Sequence, residues 1–434
     1  MTKYYISTFG CQMNVHDSEK IAGILKSEGY IETDCPQDAD LVIFNTCSIR
    51  QKAEQKFFSE LGRLKMLKKR KPGLRIAVAG CIAQQQGKKI LKRVPYVDYV
   101  IGPQNIHMVR DLNKANFAKI AVEDNLLIAD TELPVERKDQ VRAWINIMYG
   151  CNNFCSYCIV PFTRGREQSR PSHSILNEIK ELAHKGYREV TLLGQNVNSY
   201  ASDKSFPELL KEVDKIEGIR RIRFVTSHPK DLSDELIIAI RDLEKVCEHI
   251  HLPLQSGSTR VLSLMNRKYT FDEYLKRVDA LRRNVPGIAI TSDIIAGFPE
   301  ESVYDYGLTV KALHEIEFDG IFAFHYSKRE GTKAAAMRGQ IADSEKLSRL
   351  NEIIEIQNEI TEGKNQSLNN SVQEILIDGP DEKNPLKMSG RTRGNKIVSV
   401  TLNAMHQPIK PGDVINVLII KANRHSLEGE VIPE

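Results

Sequence analysis

The sequence predicts an α/β protein in three parts: an N-terminal open parallel α/β sheet, a central partial barrel of six βα units, and a small C-terminal antiparallel β-barrel. Three observations carry this expectation. Strand-like and helix-like runs alternate through the first part of the chain and again from Ala143 to His325. Strands separated by helices form parallel sheets with right-handed crossovers. Three cysteines each follow one of the first strands, and after about Asn369 the pattern changes to short strands parted by Gly- or Pro-bearing turns, as in a small β-barrel.

Taken in order, Tyr4 to Phe9 is a β-rich run and His16 to Glu28 has helical periodicity. Leu41 to Phe44 is a second strand, with a helix from about Arg50 to Lys69. Arg75 to Ala79 is a third strand, again followed by a helix. Cys11, Cys47 and Cys81 lie just past the first, second and third strands. In a parallel sheet those strand ends share one edge, where open α/β sheets bind their ligands. The fold therefore gathers three thiols that are far apart in sequence. Asp111 to Val141, with Pro134 and several charges, reads as a variable connection. The candidate barrel strands are Ala143–Met148, Glu189–Leu193, Arg221–Val225, His249–Leu252, Ile288–Ile295 and Gly320–His325. Six units make an open barrel, with its working residues at the C-terminal strand ends. Ser344 to Lys364 is strongly helical, and the last strands are Val372–Ile377, Ile397–Leu402, Val414–Ala422 and Leu427–Ile432. The expected domains are 1–118, 137–366 and 368–432.

The 434 residues suffice for several cores. Hydrophobic residues make up 41% and charged residues 27%, and the net charge is +4, which permits a nucleic-acid partner without demanding one. No apolar run reaches the length of a membrane span, and Met1 to Gly10 lacks the regions of a signal peptide. A cytoplasmic protein with no membrane partner is expected. In such a chain, eight cysteines are better read as metal ligands or catalysts than as disulfides. Cys35 and Cys247 have no spacing that suggests a role.

The sharpest motif is Cys151-Asn152-Asn153-Phe154-Cys155-Ser156-Tyr157-Cys158, a C-x3-C-x2-C run after the first barrel strand. Three thiolates can hold three irons of a 4Fe–4S cube and leave the fourth iron open. Zinc is the alternative, but it usually takes four ligands in paired spacing, and no fourth partner is adjacent.

This run, with Tyr157 before its third cysteine, resembles the radical S-adenosylmethionine (radical-SAM) signature. In that superfamily the open iron binds SAM, and one-electron reduction cleaves SAM to a 5′-deoxyadenosyl radical. Thr8-Phe9-Gly10-Cys11-Gln12-Met13-Asn14, Asn45-Thr46-Cys47-Ser48-Ile49-Arg50 and Ala79-Gly80-Cys81 resemble the N-terminal domain of the radical-SAM methylthiotransferase family. So do Tyr157 to Glu167, Leu193 to Asn198 and Leu252 to Ser258, and the last domain resembles an RNA-binding TRAM domain. The motif around Cys11 is similar to that of the branch acting on N(6)-dimethylallyladenosine in tRNA. The resemblance implies a second 4Fe–4S cluster on Cys11, Cys47 and Cys81. It also implies methylthiolation of carbon 2 of that adenosine at position 37, next to the anticodon, with two SAM molecules. One SAM gives a methyl group to a cluster-bound sulfur and the other gives the radical. A flavodoxin- or ferredoxin-like electron donor and a monomeric enzyme are expected. Threonylcarbamoyladenosine in tRNA and a ribosomal-protein aspartate are the competing substrates; an iron–sulfur RNA-binding sensor is the non-enzymatic reading.

Tyr157, Gly194, Gln195, Asn196, Gln255, Ser256 and Ile295 are expected around SAM, Ile295 through a strand motif whose apolar residues pack near adenine. For RNA phosphates the candidates are Arg164 and Arg166, the basic run from Arg63 to Lys71, and Lys387, Arg391, Arg393 and Lys396. The last four form a stretch without acids inside the segment from Leu368 to Glu434, whose eight basic and eight acidic residues cancel.

Overall fold

The computed structural model describes residues 1–48, 51–112, 119–125, 127–402 and 409–432. The first part runs β1 (Lys3–Thr8), α1 (Gln12–Ser27), β2 (Ile31–Glu32), β3 (Leu41–Thr46), α2 (Gln51–Arg70), β4 (Arg75–Gly80), α3 (Cys81–Gln86), α4 (Lys88–Arg93), β5 (Tyr99–Ile101) and β6 (Ile120–Ala121). The strands form one sheet in the order β2-β1-β3-β4-β5-β6, parallel throughout. β3, Leu-Val-Ile-Phe-Asn-Thr, is buried along its whole length, because helices cover both faces of a parallel sheet. Phe44, Val42 and Val78 pack against Phe57 and Leu61 of α2 on one face. Ile43 and Ala77 pack against Ile21 and Leu25 of α1 on the other. The three expected strands are present. The three additional ones, β2, β5 and β6, have two or three residues each, too few to show a period. Arg50 and residue 118, two of the expected limits, fall outside the described residues.

The central part runs β7 (Arg142–Asn146), β8 (Met148–Tyr149), α5 (Val160–Thr163), β9 (Gln168–Ser169), α6 (Ser172–His184), β10 (Glu189–Leu193), α7 (Phe206–Asp214), β11 (Arg221–Phe224), α8 (Asp234–Asp242) and β12 (His249–His251). It continues through α9 (Thr259–Leu264), α10 (Phe271–Asn284), β13 (Ala289–Ala296), α11 (Val303–Ile316), β14 (Gly320–His325), α12 (Lys333–Ala336) and α13 (Asp343–Gln366). Two parallel sheets, β11-β10-β7 and β12-β13-β14, meet through a single parallel bridge between Ile222 and Val246. The result is a six-stranded wall open between β7 and β14, with the largest core packed between strands and helices. Ser205, Thr270 and Ser302 cap α7, α10 and α11, each with an acid three residues later in a reciprocal capping box.

The last part is a closed barrel of β15 (Val372–Pro380), β16 (Lys387–Thr392), β17 (Ile397–Thr401), β18 (Val414–Ala422) and β19 (Leu427–Val431), ordered β15-β16-β17-β19-β18. Four pairings are antiparallel, and β17–β19 is parallel. The sequence pattern missed β16 because its inward residues are Met388, Gly390 and Thr392, a phase with one large apolar side chain.

This barrel is clamped to the N-terminal strand ends of the central part, the end opposite the cysteine loop. Arg221, fully buried, donates to the Arg391 carbonyl (2.6 Å) and to the Glu374 carbonyl (3.0 Å) and carboxylate (2.9 Å). Arg223 donates to the carbonyls of Arg393 (2.7 Å) and Thr392 (2.8 Å). In return Arg393 grips both carboxylate oxygens of Glu248 (2.6 and 2.8 Å), and Lys396 donates to Asn365 (2.8 Å). The basic stretch expected at RNA phosphate is engaged within the fold. Arg393 and Lys396 hold the domain interface, Arg391 lies 3.6 Å from Asp378, and Lys387 pairs with Glu428 at 3.1 Å. Unpaired in sequence, these charges are paired by the fold. Among the described residues no helix is long and apolar enough to cross a membrane.

Candidate active site

Cys11 is the residue before α1, Cys47 follows β3 directly, and Cys81 opens α3 straight after β4. Because β1, β3 and β4 are adjacent and parallel, the three loops share one edge. Asn14 laces the first two together, its amide donating to Asn45 Oδ1 and the Thr46 carbonyl, both at 3.1 Å, and the Thr46 hydroxyl donates to the Ala79 carbonyl of β4 at 2.6 Å. Asn45 returns a bond to the Asn14 carbonyl at 2.8 Å, and Cys11 Sγ lies 3.3 Å from Asn14 Oδ1. The hydrogen bond to Cys47 holds the Cys11 thiol down at about 6 against the opposing effect of burial, while burial pushes Cys81 up.

Gly10 sets the approach of the first two loops. Its φ is +136°, and a Cβ there would stand 2.4 Å from Cys47 Cβ and 3.2 Å from Cys47 Sγ. Gly10→Ala is accordingly expected to push Cys47 out of the triad and roughly halve the iron that the reconstituted chain retains. A colorimetric iron assay reads this directly; unchanged iron content would refute it.

The second triad sits in the loop after β8. Gly150 takes φ +67°, and a Cβ there would lie 2.0 Å from the Arg166 carbonyl oxygen. The loop is fastened by Gly150 N–H to Gln195 Oε1 (2.9 Å), Cys151 N–H to the Gly165 carbonyl (3.2 Å) and Ser156 N–H to the Met265 carbonyl (2.9 Å). Cys151 and Cys155 are buried, and Cys158 is half-buried. Burial raises Cys151 and pushes Cys158 up to about 12. Arg267, buried, donates to Cys155 Sγ (3.4 Å), the Pro253 carbonyl (3.1 Å) and Tyr269 (3.0 Å). Its flanking residues Asn266 and Lys268 both take left-handed backbone, φ 60°, so a tight turn aims this side chain. Sequence reasoning passed over Arg267 because a single arginine after a short helix carries no pattern.

Among the described residues no three His, Cys, Asp or Glu side chains are spaced to hold a single metal ion. A four-iron cube binds each thiolate to a different iron, so three thiolates hold three irons and leave the fourth open.

Of the expected cofactor residues, Tyr157 and Ile295 share one apolar cluster, and the Tyr157 ring stands edge-on to Phe298 at 6.5 Å. Gln255 is buried with φ 71°, its backbone bonded to Asp293 and Ile295 of β13. Gly194 packs against Met148. Gln195 supports Gly150, Asn196 donates to Asp231 at 2.7 Å, and Ser256 Oγ accepts from Ser258 N–H at 3.2 Å. These last three brace the loops through their side chains.

Two arginines of the central part reach the N-terminal triad. Arg164, buried and aimed away from the surface, pairs with Asp17 at 2.7 Å, and its charge faces Cys81 and Cys11. Arg329 lies by Cys47 and 3.6 Å from Glu54. Arg164, one of the residues expected at RNA phosphate, lies buried between the triads. Lys20 donates to Tyr149 at 3.0 Å, one residue before Gly150, so α1 ties both triads. Arg166 is exposed and stacks over Phe154 at 4.3 Å. In the run from Arg63 to Lys71, Arg63, Lys65, Lys69 and Arg70 are exposed, while Lys71 pairs with Asp40 at 2.8 Å and Lys68 with Asp98.

Family models match residues 3–102 (uncharacterized protein family UPF0004), 145–312 (radical SAM superfamily) and 366–432 (TRAM domain). The chain is 56% identical to a tRNA-2-methylthio-N(6)-dimethylallyladenosine synthase of Thermodesulfovibrio yellowstonii, over 99% of this chain and 98% of that protein. The chain belongs to the family of radical-SAM tRNA methylthiotransferases. A family member of the same name from Clostridium novyi is 47% identical over 99% of this chain and 96% of its own. Among solved structures, the radical S-adenosylmethionine methyltransferase TsrM of Kitasatospora setae, with cobalamin and a [4Fe-4S] cluster bound, matches with a TM-score of 0.57 and 13% identity. The match covers 77% of each chain and is a likeness of fold.

Proposed function

We propose that this methylthiotransferase acts on carbon 2 of N(6)-dimethylallyladenosine at position 37 of tRNA, consuming two SAM molecules. The observation that carries the reading is the coupling of two cysteine triads from different parts of the chain, joined by Arg164–Asp17 and Lys20–Tyr149. The printed name of the full-length relatives supports the substrate. Cys151, Cys155 and Cys158 would hold one 4Fe–4S cluster and Cys11, Cys47 and Cys81 the other. When bound, the clusters supply the electron that cleaves SAM and the seat for the transferred sulfur. An unactivated C–H bond on an aromatic ring yields to neither acid nor base, which is why the reaction needs a radical. The chain's own task is geometric. Gly10 and Gly150 let the loops close, Arg267 orients Cys155, and Tyr157, Gln255 and Ile295 border the SAM site. The packed interior around Arg164 keeps water from the reacting atoms. Electrons come from an external carrier, and the enzyme works in the cytoplasm with its tRNA.

The test is mass spectrometry of nucleosides from isopentenylated tRNA after incubation with anaerobically reconstituted protein, SAM and reductant. A 2-methylthio adduct on the isopentenyladenosine is the expected result. Deoxyadenosine without that adduct would overturn the substrate, and direct the search to the threonylcarbamoyl nucleoside or the ribosomal protein.

A further inference from the structure

The loop that carries the second triad leads into a pair of aromatic rings, one of them exposed, that the chemistry described so far does not use. Phe162, on α5, is 58% exposed. Its ring stands edge-on to that of Phe154, centroids 6.3 Å apart and planes at 84°. The Arg166 guanidinium covers Phe154 at 4.3 Å. Phe154 lies between Cys151 and Cys155 and takes a left-handed backbone, φ 49°, which a bulky residue adopts only under constraint. A strained backbone that presents a ring toward Arg166 and Phe162, instead of into the core, points to a surface with a use. Its place narrows that use. α5 packs against α3, which begins at Cys81, and starts two residues after Cys158, so the pair stands at the lip of the space between the triads.

We propose that Phe162, with Phe154 and Arg166 behind it, is a stacking platform for the nucleobase next to the target adenosine in the anticodon loop. This rests on the tRNA substrate proposed above. A base that reaches a buried reaction site must leave its stack, and its neighbour then loses a stacking partner. An exposed phenyl ring braced from behind by a second ring replaces that partner without regard to sequence, because every base has a π face.

The experiment uses the reconstituted holoenzyme and an anticodon stem-loop carrying N(6)-dimethylallyladenosine, with fluorescent 2-aminopurine one nucleotide to either side. Phe162→Leu keeps the apolar bulk and removes the π face; Phe162→Trp restores it. Wild-type protein and F162W are expected to quench the 2-aminopurine on one side of the target. F162L is expected to lose that quench, bind about tenfold more weakly and raise KM for the stem-loop more than it lowers kcat. Iron content of the variants, measured alongside, separates this from loss of the clusters. Equal quenching and affinity in F162L would overturn the platform. So would a defect in F162L seen only when a protein electron donor replaces chemical reductant, which would make this face the donor's dock. Product formed by wild type with unaltered binding by F162L refutes the platform alone; quenched binding without methylthio product refutes the substrate reading and leaves the platform standing.

Discussion

Alanine at Cys155 is expected to abolish deoxyadenosine formation from SAM, whereas alanine at Cys47 spares part of it and stops methylthio transfer. The two substitutions are chemically identical, and each removes one thiol from a triad that gathers three. They differ in the loop they empty. Cys155 lies on the C-x3-C-x2-C loop, where Arg267 donates to its sulfur at 3.4 Å; losing it removes a ligand that the short loop cannot replace. Cys47 follows β3 on the other domain, beyond the buried Arg164–Asp17 pair, so its loss leaves the second loop's fastenings intact. Each variant is expected to retain roughly half the wild-type iron. Deoxyadenosine and 2-methylthio product, quantified in the same reaction by liquid chromatography, separate the outcomes. Full product from Cys47→Ala would end the proposed division of labour between the triads.

Much of this site could be read along the chain because its ligands sit where periodic segments end. β1, β3 and β4 are long enough to declare themselves, and a cysteine one to three residues past each strand inherits the strand's place in the sheet. Tyr157 and Ile295 are expected near SAM from the resemblance alone, and in the fold they share one apolar cluster. The logic of strand ends is silent where partners are distant and charged. Arg164, Arg391, Arg393 and Lys396 carry the same charge in the sequence as any solvated arginine or lysine. Their roles depend on Asp17, 147 residues from Arg164, and on Glu248, 145 residues from Arg393. Arg329, whose partner Glu54 lies in the N-terminal part, escaped notice for the same reason. The small residues of β16 hid a strand because close packing of a tight barrel, unlike burial against a helix, needs no large apolar side chain.

Arg164→Gln is expected to separate the two half-reactions from the other direction. In the folded chain the guanidinium is sealed with Asp17, their side chains 6% and 3% exposed. Asp17 left buried without it costs about 3–5 kcal/mol, and thermal unfolding of the variant should show that loss. The same guanidinium faces Cys81 and Cys11, where bound thiolates concentrate negative charge. Methylthio product per deoxyadenosine is therefore expected to fall at least about tenfold, since the loop bearing Cys158 is no longer keyed to the N-terminal triad. Asp17→Asn combined with Arg164→Gln tells packing from charge, because removing both charges relieves the unpaired acid. If the double variant regains stability and the product ratio together, Arg164 acts only by holding the domains in register. If stability returns and the ratio does not, the positive charge beside Cys81 is itself required. A single Arg164→Gln variant with wild-type melting temperature and wild-type product ratio would show that the two triads are held together by the remaining contacts, Lys20–Tyr149 foremost.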